Sequence, residues 1–325
     1  MTDGPASDGS RSAQAQAPAS LQPTRTDRIL VIWNPGAGGG GKDDLEQRRE
    51  TLEKALAASG VAAELFESDS ESTTEQRVDR ALEEGVGAIV AAGGDGTVRS
   101  VGFRLIDRDV PLGILPMGTA MNVARSLDIP LDLEGAARVL AEGSVRSIDV
   151  GMVRGQPFLE IASIGLGAEV LAGATHVGEG RLHAALDVLC AALRNRRTRV
   201  RLQLDGREVR GHALMLAVAN GPYTGRAINL APEARIDDGK FDVLFYQGFG
   251  ALGFAAHLAR VLLGRPHDER IRRYRAATVR VSTRRPLPVR LDSQDLGITP
   301  VELVTRPGAL RVIAPPKADS GPDGS

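Results

Sequence analysis

Short apolar runs alternate with amphipathic stretches along the first part of the chain. RILVIW (28–33), AAELF (62–66) and GAIVAA (87–92) are rich in aliphatic and β-branched residues and predict strands. Between them, residues 45–56 carry leucines at helical spacing, and TTEQRVDRALEEG (73–85) predicts a helix closed by its final glycine. This alternation predicts a parallel sheet with helices on both faces.

The pattern repeats once and then changes. PLGILPMGT (111–119) is a further apolar run that ends in a Gly-Thr turn, and MNVARSLDI (121–129) predicts another helix. From about Ser147 onward, short segments rich in Val, Leu and Ile are separated by turn residues, which predicts a largely antiparallel sheet. Two helices are predicted to interrupt that sheet, near 181–196 and at 251–264.

The predicted fold class is therefore α/β, with an N-terminal doubly wound domain followed by a β-rich antiparallel sheet or sandwich domain. We place the first domain at 27–147 and the second at 148–316. Residues 1–26, rich in Ser, Ala, Gln, Pro and Gly, lack the basic start and apolar stretch of a secretory signal and predict a disordered tail, as do residues 317–325.

Composition excludes some classes of function. Of 325 residues, 42% are hydrophobic, and no apolar run approaches the roughly 20 residues needed to cross a bilayer. The net charge of −1 argues against a dedicated nucleic-acid binder. The one cysteine, Cys190, cannot form an internal disulfide, so we expect a cytoplasmic protein whose membrane contact, if any, is peripheral on the inner face.

The first candidate site is GGDGT, directly after the third predicted strand. Backbone amides of Gly93, Gly94 and Gly96 could line a concavity for phosphate oxygens, because glycine permits close backbone approach. Asp95 would then coordinate Mg²⁺ that bridges phosphates or take a proton from an attacking hydroxyl. The alternative from the residues alone is a Gly-rich turn with a turn-favouring aspartate.

Two further loops have related features. NPGAGGGGK (34–42) offers flexible amides and one cation, without the P-loop spacing of Lys followed by Ser or Thr. Thr119 is a hydroxyl at a predicted helix start, where free amides favour an anion, although simple helix capping explains it equally.

Taken together, these motifs resemble the diacylglycerol kinase catalytic-domain family. The resemblance rests on GGDGT, the NP-plus-glycine stretch, LGILPMGTAMNVARSLDIP (112–130) and NGPYTGRAINLAPEARIDDGKFDV (220–243), in the family's order. It covers about residues 28–315 and is strongest to the soluble bacterial lipid kinases, which are related to sphingosine kinases and more distantly to NAD kinase.

The resemblance implies a nucleotide cleft between the two domains and Mg²⁺-dependent transfer of the ATP γ-phosphate to a lipid hydroxyl. The lipid would be reached at a membrane surface. Whether the protein forms a homodimer is left open by the resemblance. Asp238, with the carbonyls of Arg235 and Lys240, matches the family's metal site. The residues that would contact nucleotide are Asn34, Gly93, Gly94, Asp95, Gly96, Thr97, Val98, Arg99, Gly118 and Thr119.

Several positions depart from the family pattern, and they lie in the motifs that carry the family's reaction. Ser100 follows GGDGT where the family commonly has Glu, Met121 replaces an amide, and Gly167 stands where Asp is frequent. The family's Asp-Gly-Glu, whose Glu is the proposed proton acceptor, reads Asp292-Ser293-Gln294. Gln294 has no basic carboxylate and cannot accept the substrate proton.

Four interpretations of the function follow. The chain is an active lipid kinase with a rearranged site, a weak or specialised kinase of another hydroxyl, a non-catalytic nucleotide or lipid binder, or an NAD kinase. For an active kinase we predict that Asp95 positions metal or phosphate and that Asp292 and Gln294 face the acceptor hydroxyl, so that Gln294→Glu raises activity.

A basic segment adds a question about membranes. Ten arginines stand against two acidic residues between Arg260 and Arg290, next to an apolar helical face in 251–264. This combination fits either an anionic membrane surface or an ordinary packed helix with solvated arginines on strand faces.

Overall fold

The structure is a computed structural model that describes residues 28–38, 44–166, 197–225, 228–262, 265, 267–292 and 294–317. The helix predicted near 181–196, most of the two predicted tails and Gly167 lie outside these ranges.

The N-terminal part alternates strands and helices as the sequence predicts. Its elements are β1 (Ile29–Trp33), α1 (Leu45–Ala58), β2 (Ala63–Glu67), α2 (Glu71–Glu83), β3 (Ala88–Gly93), α3 (Asp95–Arg104), β4 (Leu112–Pro116), α4 (Asn122–Ser126) and α5 (Leu133–Glu142).

The strands of this part pair in parallel in the order β4-β3-β1-β2. Every residue of β3 is buried, because helices cover both faces of the sheet, and this explains the uninterrupted apolar run in the sequence. Helix α4 is shorter than the sequence predicts. Helix α5, which begins after Asp132 accepts a hydrogen bond from the Gly135 amide, is an element that the sequence analysis missed.

The remaining chain is dominated by antiparallel strands, as predicted. Its elements are β5 (Ser144–Val153), β6 (Gln156–Phe158), β7 (Ile161–Gly165), β8 (Thr198–Leu204), β9 (Arg207–Ala219), β10 (Tyr223–Thr224), β11 (Ile228–Asn229), β12 (Phe241–Gln247), α6 (Ala251–Leu262), β13 (Ile271–Ala276), β14 (Thr278–Thr283), β15 (Pro288–Leu291), β16 (Gln294–Ile298) and β17 (Val301–Ala314).

Within the described ranges, strand β17 joins the two parts into one sheet of 15 strands. Its first half pairs antiparallel with β14, and near its end Val312 pairs in parallel with Leu112 of β4. Val312 and Ala314 belong to the same buried cluster as β1 and β3. Strand β17 therefore completes the core of the first part.

The sheet directs functional chemistry to one edge. In a parallel sheet, the loops after the strands meet at the carboxyl ends, where ligands bind in open α/β folds. The loops after β1, β3 and β4 lie at this edge. None of the helices in the described ranges is long and apolar enough to cross a membrane.

Candidate active site

Two glycine-rich turns lie against each other at the carboxyl ends of β3 and β4. Gly93 pairs with Pro116, and the Met117 amide donates to the Gly93 carbonyl at 3.0 Å. A Cβ atom added to Gly118 would stand 2.6 Å from the Gly94 Cα, closer than packed carbon atoms can approach. The turns can touch only because position 118 carries no side chain.

We expect Gly118→Ala to destabilise the fold by roughly 1–3 kcal/mol, the usual cost of overpacking. Gly94→Ala is the matched control, since its Cβ would meet the Gly118 Cα at an ordinary 3.7 Å. Urea denaturation should therefore show a clear loss for the first variant and a change near about 0.5 kcal/mol for the second. Equal losses would contradict the close approach of the turns.

Helix α3 begins at this edge, with Gly94 as its N-cap and Asp95 as its first residue. The amides of a first helical turn have no partner within the helix, and the helix dipole adds positive potential there. Gly96 faces open space, since an added Cβ would meet nothing within 4 Å. The edge of β3 thus presents amides that suit an anion such as phosphate.

The loop after β1 is tied to the same helix. Asn34 donates through Nδ2 to the Thr97 hydroxyl at 3.3 Å and accepts the Gly36 amide at 2.9 Å. Thr97 and Val98 are buried, so any ligand would meet their backbone rather than their side chains. Thr119 is exposed on the neighbouring turn.

The carboxylate of Asp95 holds the second turn in shape. Its Oδ2 accepts the Met121 amide at 2.8 Å and its Oδ1 accepts the Asn122 amide at 2.7 Å. Met121 has φ of 52°, a left-handed conformation that costs a non-glycine residue roughly 1–2 kcal/mol. Burial raises the pKa of Asp95, while the two backbone hydrogen bonds lower it.

Asn122 connects the two parts of the molecule. Its side chain is buried, and Nδ2 donates to Glu160 Oε2 at 2.8 Å and to the Gly225 carbonyl at 2.9 Å. Glu160 lies between β6 and β7, and Gly225 follows β10. The GGDGT helix is thereby linked through Asp95 and Asn122 to the β-rich part.

Glu160 is a candidate residue that the sequence analysis missed. Burial raises its pKa well above that of an ordinary glutamate, the charges of Asp292 and Asp95 raise it further, and Asn122 and Arg99 oppose the shift. The signal in the sequence is a single glutamate inside the otherwise apolar run PFLEIASIG (157–165). In a run that is buried on both sides, a carboxylate is rare unless it is paired with another group.

Asp292 is bound to the backbone next to Glu160. Its carboxylate accepts the amides of Leu159, Glu160 and Ile161 at 3.2, 3.1 and 3.0 Å. The backbone of Asp292 has φ of 49°, a conformation that Asp tolerates better than most residues. Burial raises the pKa of Asp292, and the hydrogen bonds to the Ile161 and Leu159 amides and the Arg99 charge lower it.

Arg99 and Gln294 occupy contrasting positions. Arg99 lies on α3, and its positive charge lowers the pKa of Asp95, Glu160 and Asp292. Gln294 is exposed at the start of β16, the strand at one end of the sheet order, and pairs with Leu291. That Gln294 and Asp292 face an acceptor hydroxyl stays a prediction.

The residues predicted for metal binding form a separate loop. Asp238 accepts the Lys240 amide at 3.1 Å and forms an ion pair with Arg275 of β13, while Arg235 stands 3.6 Å from Asp237. Carboxylate and carbonyl oxygens suit Mg²⁺ in chemistry, although Arg275 would have to yield part of its contact. Within the described ranges, no group of three or more His, Cys, Asp or Glu residues is arranged to hold a metal.

Two family models match most of the chain. The diacylglycerol kinase catalytic domain matches residues 28–153, and the YegS C-terminal NAD kinase beta sandwich-like domain matches residues 161–314. Glu160 lies in the short gap between the two matches.

Curated relatives match over nearly their full length. A Pseudomonas aeruginosa protein named "Probable lipid kinase YegS-like" is 33% identical over 300 residues, which cover 89% of this chain and 95% of the relative. The diacylglycerol kinase of Bacillus subtilis is 29% identical over 300 residues, with 89% and 96% covered.

Solved structures share the fold. A diacylglycerol kinase from Bacillus anthracis superposes with a TM-score of 0.71 at 22% identity, covering 89% of this chain and 97% of that one. With the two domain models in order and relatives above 30% identity over nearly their whole length, the chain belongs to the diacylglycerol kinase and YegS-like lipid kinase family.

Proposed function

We propose that the protein is an ATP- and Mg²⁺-dependent kinase that transfers the γ-phosphate to a hydroxyl of diacylglycerol or a related lipid. The observation that carries this proposal is the link from the α3 N-terminus through Asp95 and Asn122 to Glu160. It joins an edge that suits an anion on one side to a group of carboxylates on the other, and phosphoryl transfer depends mainly on such positioning of charged groups.

The nucleotide side of the proposal rests on backbone groups. Phosphoryl transfer is catalysed mainly by positioning and by stabilising charge. The paired turns at Gly94 and Gly118 and the free amides of α3 would hold the phosphates, with Asn34 and Thr97 fixing the neighbouring loop. Asp95 would act through the turn that it orders, so we assign it a positioning role.

The metal side of the proposal rests on the Asp238 loop. Mg²⁺, when bound, would supply charge neutralisation, and the donors are the Asp238 carboxylate with the carbonyls of Arg235 and Lys240. The loop is anchored independently, because Asp149 accepts the Gly239 and Gly308 amides at 2.6 and 2.9 Å. Its shape therefore does not depend on the ion.

We expect Asp238→Asn to weaken Mg²⁺ binding by at least about 10-fold, the lower end of what even indirect changes to a metal site cost. Calorimetric titration with MgCl₂ in the absence of nucleotide measures this directly. Asp295→Asn is the control, since Asp295 is an exposed carboxylate on β16 that accepts the nearby Gly297 amide. Equal Mg²⁺ affinity in the wild type and Asp238→Asn would show that Asp238 does not bind the ion.

The test of the function is Mg²⁺-dependent transfer from labelled ATP to diacylglycerol, sphingosine, phosphatidylglycerol and NAD, with Asp95→Ala as the blank. A labelled lipid that is absent from the blank is the expected result. Labelled NAD alone would assign a soluble acceptor instead.

One observation favours a second candidate, a nucleotide- or lipid-binding homologue with little or no activity. Gln294 carries no carboxylate, and it is exposed at the edge of the sheet. ATP binding measured by calorimetry together with no transfer to any of the four acceptors would favour this second candidate over the kinase.

A further inference from the structure

We propose that Glu160 accepts the proton of the acceptor hydroxyl, the task that Gln294 cannot perform. The inference rests on the proposed function, since it requires transfer to a hydroxyl. A positioned carboxylate that takes this proton typically contributes 10²–10⁴-fold to the rate.

The position of Glu160 supports this role. It lies where the β-rich part meets the N-terminal part, and its Oε2 atom accepts a hydrogen bond from Asn122 at 2.8 Å. The backbone amide of Asn122 in turn donates to the carboxylate of Asp95, the first residue of α3. The carboxylate is thus held two hydrogen bonds from the helix that would carry the phosphates.

The other carboxylates here are committed to the backbone. Asp95 accepts two amides and Asp292 accepts three, so each serves to fix a turn. Glu160 differs, because its carboxylate accepts a hydrogen bond from a side chain, that of Asn122. Among the three, it is the carboxylate best suited to change partners during a reaction.

The charges around Glu160 make it a stronger base than an ordinary glutamate. The groups that act on it are the charges of Asp292 after β15 and of Asp95 and Arg99 on α3, and the hydrogen bond from Asn122 on α4. Burial and the two aspartates raise the pKa of Glu160, whereas Asn122 and Arg99 lower it. A carboxylate with a raised pKa holds a transferred proton better at near-neutral pH.

The step balances without a further reactant. The hydroxyl proton moves to a Glu160 oxygen, and the hydroxyl oxygen forms a bond to the γ-phosphorus. The bond between that phosphorus and the β–γ bridging oxygen breaks, and ADP leaves with the electron pair. Glu160 then releases the proton to solvent.

Glu160→Gln tests the proposal, because glutamine keeps the size of the side chain and an oxygen for Asn122. We expect kcat for the labelled acceptor to fall by about 10²–10⁴-fold, while the ATP dissociation constant changes little. Glu302→Gln, which removes an exposed carboxylate paired with Arg280 of β14, is the control and should keep wild-type turnover.

The variant should fold. A carboxyl group whose pKa is raised in the folded state binds more protons there than in the unfolded chain, so its contribution to stability decreases as pH rises through that range. Glutamine removes this penalty, and Glu160→Gln should be at least as stable as the wild type at pH 7. Its melting temperature therefore separates lost chemistry from lost folding.

The pH profile gives a readout that a structural role would not move. In the wild type, kcat should increase as pH rises through the Glu160 pKa, above the range of an ordinary glutamate, and this acid limb should disappear in Glu160→Gln.

Two results would overturn the proposal, and a third would support it. Turnover of Glu160→Gln within about threefold of wild type, with the acid limb kept, leaves a kinase whose base lies elsewhere and overturns it. Restoration of Glu160→Gln by Gln294→Glu supports it, because a carboxylate at position 294 would then replace the base lost at position 160. No transfer by the wild type to any acceptor refutes the proposed function. It also refutes the role of Glu160, because no hydroxyl proton would then be transferred.

Discussion

Asp95→Ala is expected to reduce γ-phosphate transfer by at least about 100-fold, because a misplacement of about 1 Å in a catalytic arrangement can cost this much. The carboxylate accepts the Met121 and Asn122 amides and so holds a left-handed residue in place. Without it, the turn has no acceptor to offset the strained φ of Met121. Asn122, which contacts Glu160, would then move with the turn.

The expected loss of transfer in Asp95→Ala should not be caused by unfolding of the variant. Asp95 is a desolvated carboxylate whose pKa is raised by burial, so the loss of its hydrogen bonds is partly offset by the loss of a buried charge. We expect a loss of unfolding free energy of about 1–3 kcal/mol, typical of unsatisfied partners. Circular dichroism and a thermal melt would check that the variant is folded at the assay temperature.

Asp132→Ala is the matched control for Asp95→Ala. Asp132 also accepts a backbone amide at a helix start, that of Gly135 at 2.7 Å, but it is exposed at the N-terminus of α5. Its loss should cost about 0.5–2 kcal/mol of stability and leave turnover unchanged. Wild-type turnover in Asp95→Ala, or an equal loss in Asp132→Ala, would contradict the positioning role of Asp95.

Local patterns in the sequence predict the N-terminal half of the fold well. Strands and helices there alternate within short stretches, although the pattern predicts no helix directly after GGDGT, where α3 begins at Asp95. The same local logic misses the role of β17, because pairing between Leu112 and Val312 joins positions 200 residues apart. No pattern within one segment contains that information.

The candidate site shows the same division. The glycines at 94 and 118 stand out in the sequence, but their contact depends on the pairing of β3 with β4. Glu160 has no motif of its own, and only the folded chain brings it to Asn122 and Asp292. The sequence thus indicates which loops carry the chemistry, while long-range pairing decides which side chains meet.

The second large effect concerns Asp292, whose replacement by alanine is expected to destabilise the fold by about 3 kcal/mol. Three amides lose their acceptor at once, and each unsatisfied buried group costs about 1–3 kcal/mol, partly recovered by water. Alanine also lacks the tolerance of Asp for φ near 49°. Urea denaturation measures the loss.

Asp205→Ala provides the matched control for this effect. Asp205 also has positive φ, 48°, and accepts the Ala277 and Thr278 amides at 3.1 and 2.8 Å, but it is exposed in the turn between β8 and β9. Water can replace its carboxylate, so the loss should be smaller. Equal losses for the two variants would show that burial at Asp292 contributes nothing.

Asp292→Asn separates the charge of this residue from its hydrogen bonds. The amide oxygen can still accept the Glu160 and Ile161 amides, and Asn tolerates positive φ as Asp does. What disappears is the negative charge that raises the pKa of Glu160, together with the acceptor of the Leu159 amide. A carboxylate with a lower pKa ionises at lower pH, so the acid limb of kcat should move to lower pH in Asp292→Asn. An unmoved limb would mean that the group controlling turnover is not electrostatically coupled to Asp292, and therefore is not Glu160.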